Sequence, residues 1–226
     1  MIIVQTPLRA SFFGGGTDFP EFYLEEGGCA LTMAINKYIY VIVKPRFDTN
    51  VRLTYTQAEL VKNSGELKHD LIRECLKQVT LTNGIEVITI GDVPGGTGLG
   101  SSSAVTVGAL KALYAYTGHE TGALELAQTA CVIERDVLHK PIGIQDQYIV
   151  AHGGFRFFEF SPGGQVVSRK LPIGKLSDHL LLFFTGITRD SGEILQSQTK
   201  NLSKNRDVLR EMKKLAYLAV KKIEKG

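Results

Sequence analysis

The chain has 226 residues, 43% of them hydrophobic and 22% charged, and a net charge of +3. This is enough for one large or two small domains with cores of their own, and too mild a charge to indicate a nucleic-acid partner. Three dispersed cysteines (Cys29, Cys75, Cys131) form neither a disulfide framework nor a zinc site and suit a reducing cytoplasmic setting; neither a signal peptide nor a membrane span is expected, because no apolar run reaches roughly 18 residues.

In chain order, residues 2–13 read as a strand with a break at Pro7, closed by a turn over Gly14, Gly15 and Gly16. Residues 32–45 are β-rich, and Asn36-Lys37 predicts a hairpin turn within them. Residues 51–56 alternate as a strand, 57–84 are polar with a helix over about 68–79, and 85–90 form a short buried strand. A helix follows over 101–116 and a second over about 121–139. The second has Leu124, Ala127, Ala130, Cys131, Val137 and Leu138 at helical spacing, and Pro141 and Gly143 break it. Residues 155–160 and 165–170 flank Ser161-Pro162-Gly163-Gly164 as a hairpin. A strand over 179–185 and helix from 190 onward complete the pattern. The shift to Pro, Gly and Lys over 171–177 marks a domain boundary. Lys213, Lys214, Lys221, Lys222 and Lys225 read as the solvated face of the last helix.

The most informative segment is Pro94-Gly95-Gly96-Thr97-Gly98-Leu99-Gly100-Ser101-Ser102-Ser103. It lies between a strand and a helix. Glycines let backbone approach a ligand closely, and a helix start offers unpaired N–H groups and the positive end of its dipole. The combination is a phosphate cradle. It is not a P-loop, because Ser101 stands where Lys is required. Nor is it a dinucleotide fingerprint, because the next acid, Glu120, falls between helices instead of at a strand end.

The segment 94–104 resembles the central signature of the GHMP small-molecule kinases. Residues 7–18, Pro-Leu-Arg-Ala-Ser-Phe-Phe-Gly-Gly-Gly-Thr-Asp, resemble that family's first motif, in the Gly-Gly-Gly-Thr-Asp form of its sugar-phosphate branch. Gly143-Ile144-Gln145-Asp146-Gln147 resembles the segment carrying the catalytic aspartate. The three motifs come in family order. The resemblance implies an α+β fold with an N-terminal β-α-β ATP-binding domain over residues 1–172. Residues 178–226 would then be the start of a ferredoxin-like C-terminal domain, incomplete because the family's third glycine-rich motif has no counterpart here; a truncated chain is expected. An incomplete sheet leaves an edge to which a second copy can add, forming a homo-oligomer. The implied reaction is phosphoryl transfer from ATP, with Mg²⁺, to a sugar hydroxyl. In the sugar-phosphate branch the acceptor is the anomeric hydroxyl of a heptose 7-phosphate. Fucose, galactose, or binding without turnover are the alternatives.

Phosphoryl transfer requires phosphates held, charge offset and the acceptor aligned. Residues 94–103 would hold the nucleotide phosphates, with Ser102, or Ser101 next to it, as a hydroxyl ligand of Mg²⁺. Helix capping is the rival role for either serine. Glu134 shares an apolar stripe with Ala127, Ala130, Cys131 and Leu138. A carboxylate there needs a metal or a cationic partner. The resemblance places the family's Mg²⁺-binding glutamate about a dozen residues before the aspartate, and Glu134 precedes Asp146 by 12. By the same resemblance Asp146 is the base or aligner for the sugar hydroxyl, with an Asx turn as its rival role. Arg9 matches the basic position of the first motif and supplies the cation that the loop lacks. Gly15, Gly16, Thr17 and Asp18 form the sugar side, with a plain turn as the alternative for Asp18. His152 and Arg156 are weaker candidates for that side.

Overall fold

The computed structural model describes residues 1–188 and 205–225. It is an α+β protein built on one mixed seven-stranded sheet in the order β4-β3-β5-β2-β6-β7, with β1 paired to β2. The strands are β1 (Ile2–Phe13), β2 (Gly28–Pro45), β3 (Val51–Thr54), β4 (Ala58–Val61), β5 (Ile85–Gly91), β6 (Phe155–Phe160) and β7 (Val166–Lys170). The helices are α1 (Pro20–Glu26), α2 (Asp70–Gln78), α3 (Ser101–Thr117), α4 (Ala123–Cys131), α5 (Gln145–His152) and α6 (Arg206–Ile223).

β2 is the spine of the sheet. β1 runs antiparallel along one side of it. The other side is divided: β6 pairs residues 28–33 and β5 pairs residues 39–45. The hairpin expected at Asn36-Lys37 does not form, because β2 continues through both residues. The β1 register instead jumps there, from Pro7 opposite Tyr38 to Arg9 opposite Ala34. The expected break at Pro7 is this same irregularity inside one continuous strand, which suits a residue that cannot donate to the ladder. β3 lies parallel to β5, with α2 in the crossover between them.

Over residues 28–33 both faces of β2 are covered, as a segment apolar at Cys29, Ala30, Leu31 and Met33 requires. Ala30, Val41 and Val43 face a layer with Leu110 and Leu113 of α3 and Ala127 of α4. Cys29, Leu31 and Met33 face the other way, toward Phe155, Phe157 and the Ala216 and Val220 side chains of α6. The three cysteines are buried and unpaired.

Four further expectations are corrected. β4 forms a short hairpin with β3 inside the polar stretch. The expected 121–139 helix is α4 followed by a π-helical stretch, Val132–Val137. Residues 180–187 pair with no strand among the described residues, and their β-rich composition is left exposed: Leu181, Phe183 and Phe184 are 84%, 78% and 60% accessible. Lys213 is half-buried instead of lying free on the helix face, because its Nζ donates to the carbonyls of Glu26 and Gly27 and closes the end of α1. The helix expected from 190 lies outside the described residues until α6. Among the described residues no helix is long and apolar enough to cross a membrane.

Candidate functional site

A cavity of about 600 Å³ opens where β1, the β5–α3 loop, the π-helical stretch and the start of α5 converge. Arg9, Gly15, Gly16, Asp18, Gly96, Gly98, Leu99, Gly100, Ser101, Ser102, Ser103, Glu134 and Asp146 all line it. Residues far apart in sequence are thus gathered at one site. Pro94, Gly95 and Thr97 are not on its wall; the Thr97 hydroxyl donates to the Pro94 carbonyl and shapes the turn.

The loop enters α3 through Gly100, whose φ of 76° is left-handed. A Cβ there would lie 3.1 Å from Arg9 Cγ and 3.3 Å from Asp146 Oδ2. Glycine therefore serves both the turn and the close approach of the site. No side chain caps the first turn of α3, so no serine serves as its cap. Ser101 to Ser103 line the cavity at the start of α3, where helix N–H groups lack intrahelical partners and can receive an anion.

Arg9 sits just past the β1 irregularity. Its Nε donates to Asp146 Oδ1 and a terminal nitrogen to Oδ2, each at 2.6 Å. Its remaining nitrogen donates to the Gly98 carbonyl, and its backbone N–H donates to that of Leu99. One side chain thus ties the aspartate to the glycine loop. Burial alone would lower the Arg9 pKa, but the Asp146 carboxylate outweighs it and holds the guanidinium above its ordinary value. Asp146 is the second residue of α5, a helix that the sequence reading missed because it is only eight residues long.

Asp18 is buried and accepts from the backbone N–H groups of Gly16 and Gln145. Burial raises its pKa against the pull of those bonds, with Asp146 adding to the rise. Gln145 also accepts from the Ser11 hydroxyl at 2.8 Å. Thr17 departs from the expectation. It does not line the cavity, and its hydroxyl lies 2.8 Å from the carbonyls of Gly14 and Cys29 and accepts the Cys29 N–H. It is a brace for the turn. His152 and Arg156 are also spent elsewhere, on the Tyr148 carbonyl and on Gly153 and Ser168.

Glu134 lies in the π-helical stretch with no accessible surface. Ser103 donates to its Oε2 at 3.1 Å, so the serine that meets this carboxylate is Ser103, while Ser102 lines the same cavity. Among the described residues Oε1 has no partner. Burial pushes the Glu134 pKa up to about 7, against the pull of Thr106, Lys140 and Ser103. A divalent cation fits this group: it would pair the orphaned oxygen and favour the charged form. Among the described residues no three His, Cys, Asp or Glu side chains gather to hold a metal. Mg²⁺ commonly takes one or two carboxylates and draws its other ligands from phosphate and water.

The sequence profile of the GHMP kinases N terminal domain matches residues 67–154. A D-glycero-alpha-D-manno-heptose 7-phosphate kinase of Campylobacter jejuni is 34% identical over 210 residues, covering 85% of this chain. The chain spans 62% of that relative's length. A solved structure of a D-glycero-D-manno-heptose 1-phosphate kinase from Bacteroides thetaiotaomicron superposes with a TM-score of 0.75 at 25% identity, over 97% of this chain and 76% of that one. A solved Campylobacter jejuni chain with the provisional description of sugar kinase is 30% identical with a TM-score of 0.69, over 98% of this chain and 73% of that one.

Proposed function

The chain belongs to the GHMP kinase family, and on that premise we propose that it transfers the γ-phosphoryl group of ATP to a sugar hydroxyl. The acceptor is a heptose phosphate, in the first instance D-glycero-D-manno-heptose 7-phosphate at its anomeric hydroxyl. The acceptor follows from the similarity to the heptose 7-phosphate kinase. The chemistry follows from one observation above all: Asp146, gripped by Arg9, stands between the glycine loop and Asp18 on the wall of a single cavity.

The N–H groups at the start of α3 and the loop glycines receive the nucleotide phosphates. Asp146 accepts the proton of the attacking hydroxyl as the phosphoryl group moves. Arg9 orients that carboxylate and places positive charge beside the transfer path. Asp18, with Gly15 and Gly16, receives sugar hydroxyls on the opposite side of Asp146. Glu134, with Ser103 or Ser102, would hold Mg²⁺, which when bound offsets charge on the phosphates. Residues 1–172 act as the nucleotide-binding domain and 178–226 as the opening of a ferredoxin-like one. Limited proteolysis that fails to cut between them would count against this division.

The direct test is ADP release from ATP and Mg²⁺ with heptose 7-phosphate set against heptose 1-phosphate, fucose and galactose. Release with heptose 7-phosphate alone is the expected result. Release with fucose or galactose alone would overturn the acceptor and keep the reaction. Release with none, where ATP still binds, would replace the kinase with a binding module.

A further inference from the structure

Gln147 is the one residue of the cavity wall whose whole polar end is buried and idle. It has no accessible surface, it lines the cavity, and among the described residues neither its Oε1 nor its Nε2 has a hydrogen-bond partner. A buried amide without partners destabilises the fold, because its lost hydration is not replaced. An amide that idles in an otherwise close-packed wall is accounted for when a ligand completes it.

The geometry of α5 says which ligand. Successive side chains on a helix are turned by about 100°. Gln145 faces Asp18 and Ser11, the sugar side. Asp146 faces Arg9 and the glycine loop. Tyr148 packs on Phe158 and lies within electrostatic reach of Cys131, just before the π-helical stretch, and of Arg135, within it. Gln147 falls between Asp146 and Tyr148 and points away from Gln145. It therefore turns away from the sugar side, and the cavity that it lines is also lined by Ser103 of α3 and by Glu134, to which Ser103 donates. There, Glu134 Oε1 is also without a partner among the described residues. Two idle polar groups, one an acceptor and one both donor and acceptor, thus belong to residues that line one cavity.

We infer that Gln147 is a positioning residue for the cation of this site: its carbonyl oxygen accepts from a water of the cation's hydration shell, and its NH₂ group donates to the Glu134 carboxylate. This rests on the kinase reading above and extends it by one residue. A cation held by a single carboxylate keeps several waters, and those waters need acceptors in the wall. Glu134 has one oxygen engaged by Ser103. Gln147 supplies a neutral acceptor, which adds no further negative charge to an already buried carboxylate.

The test is the Gln147→Leu variant of the 226-residue chain, titrated with Mn²⁺ in the presence of ADP and followed by paramagnetic resonance. ADP affinity in EDTA and the melting temperature of the ligand-free protein are measured alongside. Losing a partner that orients a cation's ligands typically weakens metal binding about 10–100-fold. The expected result is a Mn²⁺ affinity at least about tenfold weaker, metal-free ADP affinity within about twofold of the parent, and a ligand-free melting temperature equal or higher. Unchanged Mn²⁺ affinity in Gln147→Leu overturns the inference. So does an equal loss of metal-free ADP binding, which would make Gln147 a nucleotide contact. If Leu prevents folding, Gln147→Met carries the same comparison. A parent chain that binds neither ADP nor Mn²⁺ with ADP would overturn the kinase reading itself, and the inference with it.

Discussion

Arg9 and Asp146, 137 positions apart in sequence, meet through two parallel hydrogen bonds of 2.6 Å. Such a fork fixes the plane of the carboxylate as well as its place. Because the same guanidinium holds the Gly98 carbonyl, the carboxylate and the glycine loop are positioned by one side chain.

Asp146→Asn should therefore lower turnover by about 10²–10⁴-fold, the usual worth of a general base, with ATP affinity little changed. Steady-state kinetics beside equilibrium ATP binding checks this. Turnover near that of the parent would remove Asp146 from the chemistry.

Arg9→Lys keeps the charge but has one nitrogen where three are used. Turnover should fall, and the β5–α3 loop should exchange its amide hydrogens faster. Hydrogen exchange over residues 94–103 reports the second effect, which a purely electrostatic role for Arg9 would not produce.

Glu134 gives a pH signature in the metal-free protein. Its folded pKa, about 7, lies above the ordinary value of 4.5. The folded state then binds more protons than the unfolded state across that window, so stability is greatest below about 4.5 and falls as pH rises toward 7. The loss is on the order of 3 kcal/mol, from about 1.4 kcal/mol per unit. Lys140 and Asp146 are the charged neighbours acting on this group. Denaturant melts between pH 4.5 and 7.5 should show the slope, Glu134→Gln should flatten it, and Mg²⁺ with ADP should reduce it.

A Cβ on Gly143 would sit 1.9 Å from Asp18 Oδ2. Gly143→Ala must displace that carboxylate, an overpacking worth about 1–3 kcal/mol. Weaker acceptor binding with unchanged ATP binding is the expected result. Equal loss of both would place Asp18 outside the sugar side.

Lys213→Met removes the charged donor from the end of α1. A hydrogen bond to a charged group contributes about 1.5–3 kcal/mol. At about 2–4 °C per kcal/mol for a chain of this size, the melting temperature should drop by several degrees. An unchanged melting temperature would show that the other contacts of α6, among them Ala216, Val220 and the pairs of Arg206 and Arg210 with Glu26, suffice to dock it.

The sequence made the local devices legible. Glycines before a helix start, a strand ahead of them, and a Ser-Pro-Gly-Gly turn each act over a few residues, and β5, α3 and the β6–β7 hairpin stand where they were expected. What failed was set at longer range. Asn36-Lys37 has turn composition, yet β1 on one side and two successive partners on the other carry β2 straight through it. Thr17 has the chemistry of a sugar ligand, but Cys29 and Gly14 take its hydroxyl. The stripe under Glu134 was readable as helical, but its π-helical turn was not, because the same residues suit either spacing. Gln147 carried no signal at all; an idle amide is visible only once its neighbours are placed.

The divided partnership of β2 dictates an order of events during synthesis. Its second half can close on β5 as soon as residue 91 has left the ribosome. Its first half waits for β6, since Gly28 pairs with Phe160. Until then a nascent chain with its glycine loop complete still shows an open strand edge over residues 28–33. Such an edge is where chaperones bind and where misassembly begins. A slow passage of the ribosome through residues 92–154 would lengthen that exposure without altering a single contact of the finished protein.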